Sequence, residues 1–376
     1  LLAGKSSGAT LYYDSRDFEV VKRAAGFLSQ DIGLVTGRSA TVRTLPAANE
    51  ATIVVIGTLG HNSVIDKLVS EGRLNVDKIR GGWEQYAVEV VERPAAGIRK
   101  ALVIAGSDRR GTAYGVFSVS EAIGVSPWYW WADVPVKPRT SLYLHVHPEV
   151  SKTPSVRYRG LFINDEDWGL LPWARHTFDP ERGNIGPKTY AKVCELLLRL
   201  KANYLCPAMH EASTAFNKIP ENKMVADSFA IVMGSVHCEP LLFNNASEWD
   251  RKTMGEWDYV KNKEGINSVL RRRVRENAAY ENVYTLALRM LNVPADAEDA
   301  AQEAFLSAWK ALPRFRMDAK FSTWLYRLTV NAATDVLRRR RKEPDSLDDA
   351  ERPVQAADST DTPEEAAQRA ERREMV

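Results

Sequence analysis

Three cysteines in 376 residues, Cys194, Cys206 and Cys238, are too few for a disulfide framework and lack the paired spacing of a zinc site. No metal is expected on that account. No apolar run approaches the roughly 20 residues of a membrane-spanning helix, so no membrane partner is expected either. There is no leading methionine and no basic segment ahead of an apolar one. No intact signal peptide is therefore visible, and Leu1-Leu2-Ala3 reads as a cut. A large charge of one sign is also missing: the net charge is +2, which names no partner. What is present is enough for a folded protein. Apolar residues make up 44% and charged residues 27%, which permits a packed core and excludes wholesale disorder. The length allows two or three domains. The charge is unevenly placed, however. Lys310, Arg314, Arg316, Lys320, Arg327, Arg338, Arg339, Arg340, Arg341 and Lys342 are opposed within their segment only by Asp318 and Asp335. After Glu343 the chain turns acidic. Such blocks predict an anionic partner for one segment, followed by a solvated tail.

Hydrophobic periodicity divides the chain. Thr10–Tyr13, Ala51–Ile56, Tyr86–Val91 and Lys100–Ala105 read as strands, and Phe18–Gln30 and Gly111–Ile123 as helices. Residues 1–150 are thus predicted to form an α/β domain with a mixed sheet. Ser126–Trp131 (SPWYWW) is dense in aromatics and suits either a hydrophobic plug between domains or a sugar-stacking surface. Pro135–Pro148, with an alternating stretch at Ser141–His147, reads as a connection. From residue 156 strands alternate with helices. Tyr158–Ile163, Asn203–Ala208 and Phe229–Gly234 each end in polar residues, with helical stretches at Tyr190–Leu200 and Lys263–Asn277. Asn282–Leu288 is a candidate fourth strand. Alternation of this kind predicts a parallel sheet, and polar residues at strand C-termini are where a (β/α) barrel places its chemistry. About four such units are legible, whereas a closed barrel needs eight. From Pro294 the pattern becomes purely helical. One face carries Ala300, Ala304, Phe305, Ala308, Trp309 and Leu312; a second carries Phe321, Trp324, Leu325, Leu328, Ala332 and Val336. The predicted fold class is an α/β N-terminal domain plus an incomplete parallel (β/α) barrel, followed by an all-α segment. The predicted parts are 1–150, 151–290, a helical 291–343, and an acidic linker and tail at 344–376 expected to be disordered.

Specific blocks carry a resemblance. RYRGLFINDEDWGLLPWA (157–174), NYLCPAMHEASTAFNKIPENK (203–223), FAIVMGSVHCEPLLFNNASEWD (229–250) and RRRVRENAAYENVYTLALR (271–289) resemble glycoside hydrolase family 115, the xylan α-1,2-glucuronidases. SDRRGTAYGVFSVSEAIGVSPWYWWADVPV (107–136) resembles that family's N-terminal domain. The resemblance runs from near residue 9 to about 289. It implies a (β/α)₈ catalytic barrel and inverting removal of glucuronate or its 4-O-methyl form, without a cofactor. The implied partner is glucuronoxylan or an aldouronic oligosaccharide. Inversion takes one protonated carboxyl and one carboxylate that activates water, roughly 6.5–9.5 Å apart. The uronate's own carboxylate calls for Arg or His donors. By resemblance the substrate-binding residues are Asn164 and Asp165, His210 and Glu211, His237 and Glu239, and Arg289. Glu166, Asp167, Arg175 and His176 lie among them and read more readily as ordinary loop polar residues. After the arginine the family continues with glycine and a histidine–aspartate pair. This chain reads Met290-Leu291-Asn292-Val293-Pro294 instead, so no intact catalytic pair is expected.

A second resemblance begins at the same place. TLALRMLNVPADAEDAAQEAFLSAWKALPRFRMDAKFSTWLYRLTVNAATDVLRRRRK (285–342) resembles region 2 of extracytoplasmic-function sigma factors, and TPEEAAQRAERRE (362–374) resembles the entry to region 4. The resemblance implies that Asp296, Glu298, Asp299, Gln302 and Glu303 dock on core RNA polymerase. It further implies that Arg316, Lys320, Phe321, Trp324, Arg327, Asn331 and Arg338–Arg341 meet the melted −10 strand of promoter DNA. Cations serve phosphate and flat rings serve flipped bases. Phe321 and Trp324 also sit on an apolar stripe and suit a core; Arg338–Arg341 also suit a solvated helix end. The two parents imply opposite compartments, periplasmic or secreted for the first and cytoplasmic for the second. Their strings meet within Val283–Pro294, the expected seam of a chimera.

Overall fold

Runs of β-branched and small apolar residues build the first sheet. In the computed structural model, Thr10–Tyr13 (β1), Val42–Arg43 (β2), Thr52–Thr58 (β3), Tyr86–Ala95 (β4), Ile98–Gly106 (β5) and Glu149–Val150 (β6) lie in the order β2-β1-β3-β5-β4-β6. The structure describes residues 2–4, 8–44, 51–146, 148–164, 167–234, 240–280 and 328–335. Strands β2, β1, β3 and β5 are parallel neighbours, while β4 runs antiparallel to both β5 and β6. This is the mixed sheet that the sequence predicts. Alternation along the strands sends Leu11, Val54, Ile56, Leu102 and Ile104 to one face and Tyr12, Ile53, Val55, Ala101 and Val103 to the other. Helices Glu19–Thr36 (α1) and Arg109–Ala122 (α3) cover the first face. Ser63–Ser70 (α2), with Leu74, Val76 and Ile79, covers the second. Asn62 caps α2 by accepting from the Val64 and Ile65 N–H groups, and Asp108 caps α3 in the same manner through Arg110 and Gly111. Helix α1 ends on Gly37, whose φ of 74° is left-handed and costs a glycine little.

A second sheet follows. Gly160–Phe162 (β7), Tyr204–Cys206 (β8) and Val232–Met233 (β9) are parallel neighbours in chain order. Each is followed by helix: Leu170–Trp173 (α4) and Pro187–Arg199 (α5), then Pro220–Ser228 (α6), then Arg251–Met254 (α7) and Lys263–Asn277 (α8). The candidate fourth strand, 282–288, lies outside the described residues, as does the predicted helix over 296–312. Within the second predicted helix, residues 328–335 are helical, with Ala332 and Ala333 buried.

One apolar cluster runs through both sheets. It joins Leu28 and Ile32 of α1 and Phe117 of α3 to Tyr190 and Leu197 of α5, Leu205 of β8, and Phe229. Two buried ionic groups reinforce the joint. Arg199 donates to both carboxylate oxygens of Asp31 at 2.9 Å and to Glu195 at 2.9 Å. The faces of Phe117 and Tyr129 lie 4.8 and 4.7 Å from its guanidinium carbon. The Glu84 side chain, with no exposed surface, accepts from Arg110 at 2.6 Å, Arg159 at 2.5 Å and Asn203 at 2.6 Å. A buried carboxylate persists only when its lone pairs are matched in this way; removing one partner of such a pair costs about 3–5 kcal/mol. The aromatic run packs here as well. Trp130 meets Trp131 edge-on at 4.9 Å and lies 5.2 Å from Phe178, and the Trp131 indole donates to the Lys192 carbonyl at 3.2 Å. Within SPWYWW, Tyr129 and Trp131 pack partly buried against this cluster, while Trp128 is 43% exposed. The chain divides into two compact units, Leu1–Arg289 and Met290–Val376, and both sheets belong to the first.

Candidate functional site

Parallel strands send their C-terminal ends to one edge, so the residues following β7, β8 and β9 share that edge. The ladder continues briefly past the strands. Ile163 N–H donates to the Cys206 carbonyl at 3.0 Å, and Gly234 N–H to the Leu205 carbonyl at 2.9 Å. Beyond it, Asn164 is exposed after β7, and His210 and Glu211 are exposed after β8. His210 Nδ1 lies 3.6 Å from Asp167 Oδ1, each side chain about half exposed (47% and 50%). This contact brings the loops of two strands together. Asp167 has a φ of 72°, left-handed and unusual for a residue with a Cβ. Next to it Trp168 is 80% exposed.

Amides hold the loops in place. Asn184 accepts from Thr214 N–H at 3.0 Å and donates to the Ala212 carbonyl at 3.3 Å, which shapes the turn after Glu211. Asn244 donates to the Met209 carbonyl at 2.7 Å, tying the loop beyond β9 to the loop beyond β8. Beneath them Tyr204 and Cys206 are in contact, hydroxyl to thiol, at 3.5 Å. Burial, chiefly, pushes the Tyr204 phenol well above its usual range, so it stays protonated. Arg175, in a π-helical turn over Ala174–Phe178, donates to the Gly183 carbonyl at 3.1 Å. His176 of the same turn is exposed.

Of the sequence-predicted substrate residues, Asn164, His210 and Glu211 stand on the strand-end edge. Asp165, His237, Glu239 and Arg289 lie outside the described residues, as does Glu166. On the second unit Asn331 is exposed on the helix over 328–335. The other predicted DNA contacts (Arg316, Lys320, Phe321, Trp324, Arg327 and Arg338–Arg341) lie outside the described residues. So do the predicted polymerase contacts Asp296, Glu298, Asp299, Gln302 and Glu303. Nothing in the linear sequence pairs Asp167 with His210 or marks Trp168 as exposed. The nearest signal is a tryptophan set among acidic residues directly after a strand. Among the described residues no three His, Cys, Asp or Glu side chains converge on a metal position.

The first unit is thus an α/β fold whose second sheet gathers polar side chains at its strand ends. Residues 151–308 match Glycosyl hydrolase family 115, and residues 277–343 match Sigma-70 region 2. The chain therefore joins sequence of both kinds, and the two matches overlap over 277–308. A solved family GH115 4-O-methyl-α-glucuronidase with specificity for decorated arabinogalactans aligns at 36% identity and a TM-score of 0.65. The alignment covers 74% of this chain and 35% of that one. The ECF RNA polymerase sigma factor SigW of Bacillus subtilis is 46% identical over 71 residues, 19% of this chain and 37% of its own length. The RNA polymerase sigma-H factor of Pseudomonas aeruginosa is 45% identical over 62 residues, 16% and 32% of the respective chains. The chain thus spans about a third of the length of each of these three proteins.

Proposed function

We propose that residues 1–289 are the N-terminal part of an inverting α-glucuronidase. In this reading 1–150 is its α/β domain and 151–290 the first part of a (β/α)₈ barrel, and the strand-end edge is a remnant of the uronate pocket. The observation that carries this reading is the Asp167–His210 contact, which bridges the ends of β7 and β8 beside Asn164 and Glu211. These groups offer donors and acceptors for a uronate and its ring hydroxyls. Asp165, His237, Glu239 and Arg289 complete the proposed pocket. The ligand class is a polysaccharide bearing α-linked glucuronate, with glucuronoxylan or an aldouronic oligosaccharide as the first choice. Turnover is not expected. The sequence replaces the family's histidine–aspartate pair at the seam, and sigma-like sequence follows where later strands would supply the second carboxylate. Incubating the chain at high concentration with aldouronic oligosaccharides is expected to release no free uronic acid, and clear release would overturn the reading.

The sigma match favours a second reading for residues 291–343. The acidic set Asp296, Glu298, Asp299, Gln302 and Glu303 would meet core polymerase, and the basic–aromatic set, including Asn331, would meet −10 DNA. In this reading the first helix of region 2 is compromised, because its sequence is shared with the glucuronidase match over 277–308. The expected binding is accordingly weak, salt-dependent and nearly sequence-blind. Fluorescence anisotropy on matched and scrambled −10 strands is expected to show less than about tenfold discrimination. The two readings place the protein in different compartments, outside the cytoplasm for the first and inside it for the second. No helix among the described residues is long and apolar enough to cross a membrane.

A further inference from the structure

We propose that Trp168 is a stacking platform for a neutral pyranose ring, the backbone sugar next to the bound uronate. The proposal rests on the reading of the strand-end edge as a uronate pocket, but separate observations carry it. At 80% exposure Trp168 is the most exposed large apolar side chain among the described residues. Leaving an indole in water forgoes the burial that normally stabilises it. The segment that presents it is held on both sides. Asp167, whose φ of 72° is left-handed, meets His210 on one side. After Gly169, α4 begins and anchors the segment through the buried Leu171. Polar groups stand on the same strand-end edge as Trp168: Asp167, its neighbour in sequence, meets His210 at 3.6 Å, and Asn164 and Glu211 are exposed.

A flat, exposed apolar face on an edge that also carries donors and acceptors suits a sugar. The ring's C–H face lies on the indole, while its equatorial hydroxyls reach the polar groups. A protein partner would ask instead for contiguous apolar surface. The candidate for that alternative is the β7 edge, where Leu161 and Phe162 are 41% and 39% exposed.

The test uses the full chain, its Trp168→Ala variant and its Trp168→Phe variant. Binding is measured calorimetrically for neutral xylo- and galacto-oligosaccharides, an aldouronic oligosaccharide and free glucuronate. Trp168→Ala is expected to weaken a neutral oligosaccharide and the aldouronic oligosaccharide by about tenfold, the upper range for an aromatic face contact. Trp168→Phe is expected to retain most of the affinity, and free glucuronate is expected to bind all three chains alike. Affinities of Trp168→Ala within twofold of the parent would overturn the platform. So would a parent chain that binds no neutral oligosaccharide, or a variant that changes only self-association and hydrophobic-dye binding. Failure of the uronate reading shows separately, as equal affinity of the parent for neutral and aldouronic oligosaccharides.

Discussion

Asp14, just past the end of β1, shows how a single side chain can hold a loop. Its carboxylate accepts from Arg16 Nε and Nη2 at 3.1 and 2.9 Å, and from the N–H and hydroxyl of Ser63 at 3.1 and 3.0 Å. Ser63 opens α2, so the charge also faces the positive end of a helix dipole. The Arg16 side chain, above all, holds the Asp14 carboxyl well below the usual carboxylate range. A depressed carboxylate pKa adds stability above the unfolded value of about 3.9, and that stability is lost as pH falls through the folded value. Asp17 works the other way. Burial raises its pKa, so its charge opposes folding at neutral pH and is relieved on acidification. Asp14→Asn is expected to lower stability by about 1–2 kcal/mol at neutral pH, with the difference shrinking below about pH 4. Denaturant titrations of parent and variant across pH 2–7 would show it. Only the Arg16 half of the Asp14 arrangement is local, since Ser63 lies 49 residues away. Glu84 and Arg199 reach further still: their partners Asn203 and Asp31 lie 119 and 168 residues away, beyond any local pattern.

At the scale of elements, long periodic segments were the most legible. Lys263–Asn277 is a helix with the bounds that its spacing predicts, and Thr10–Tyr13 is a strand with the predicted bounds. The strands of the second sheet are shorter than expected. The prediction at Tyr158–Ile163 becomes Gly160–Phe162, and that at Phe229–Gly234 becomes Val232–Met233. A strand extends only where a neighbour supplies ladder partners, and that is a tertiary condition. Helices α2 and α6 were not legible. Helix α2 is eight residues long and buries only Ile65 and Leu68, and α6 opens on Pro220 with mostly polar residues. Gly160 sets the approach of β7 to β8, since a Cβ there would run into the Tyr204 carbonyl oxygen. Gly160→Ala is expected to cost about 1–3 kcal/mol, as overpacking does, and to speed amide exchange in 160–162 and 204–206.

At the scale of the whole molecule, the division into compact units falls between Arg289 and Met290, inside the overlap of the two family matches. Among the described residues, the apolar clusters around Leu28, Ile53 and Phe243 lie wholly before residue 281. A chain ending at Arg289 is therefore expected to melt within about 2 °C of the first unit in the full chain. A larger drop would show that the core depends on residues of the second unit. Strand β7 bounds the described part of the second sheet, with Leu161 and Phe162 partly open to solvent. Edges of this kind pair with other chains. Hydrophobic-dye binding by the native protein is expected to fall when both residues are replaced by threonine.

Alternation and helical spacing were enough to place most elements, because burial of one face is written into the order of residues. Long unbroken strings were enough to identify both parents of the chimera. The joining of the two sheets was not legible, because it rests on buried charges and rings that meet across more than a hundred residues. Nor was the contact between Asp167 and His210, nor the exposure of Trp168. Those follow from where parallel strands end in space, and a linear sequence carries no record of that neighbourhood.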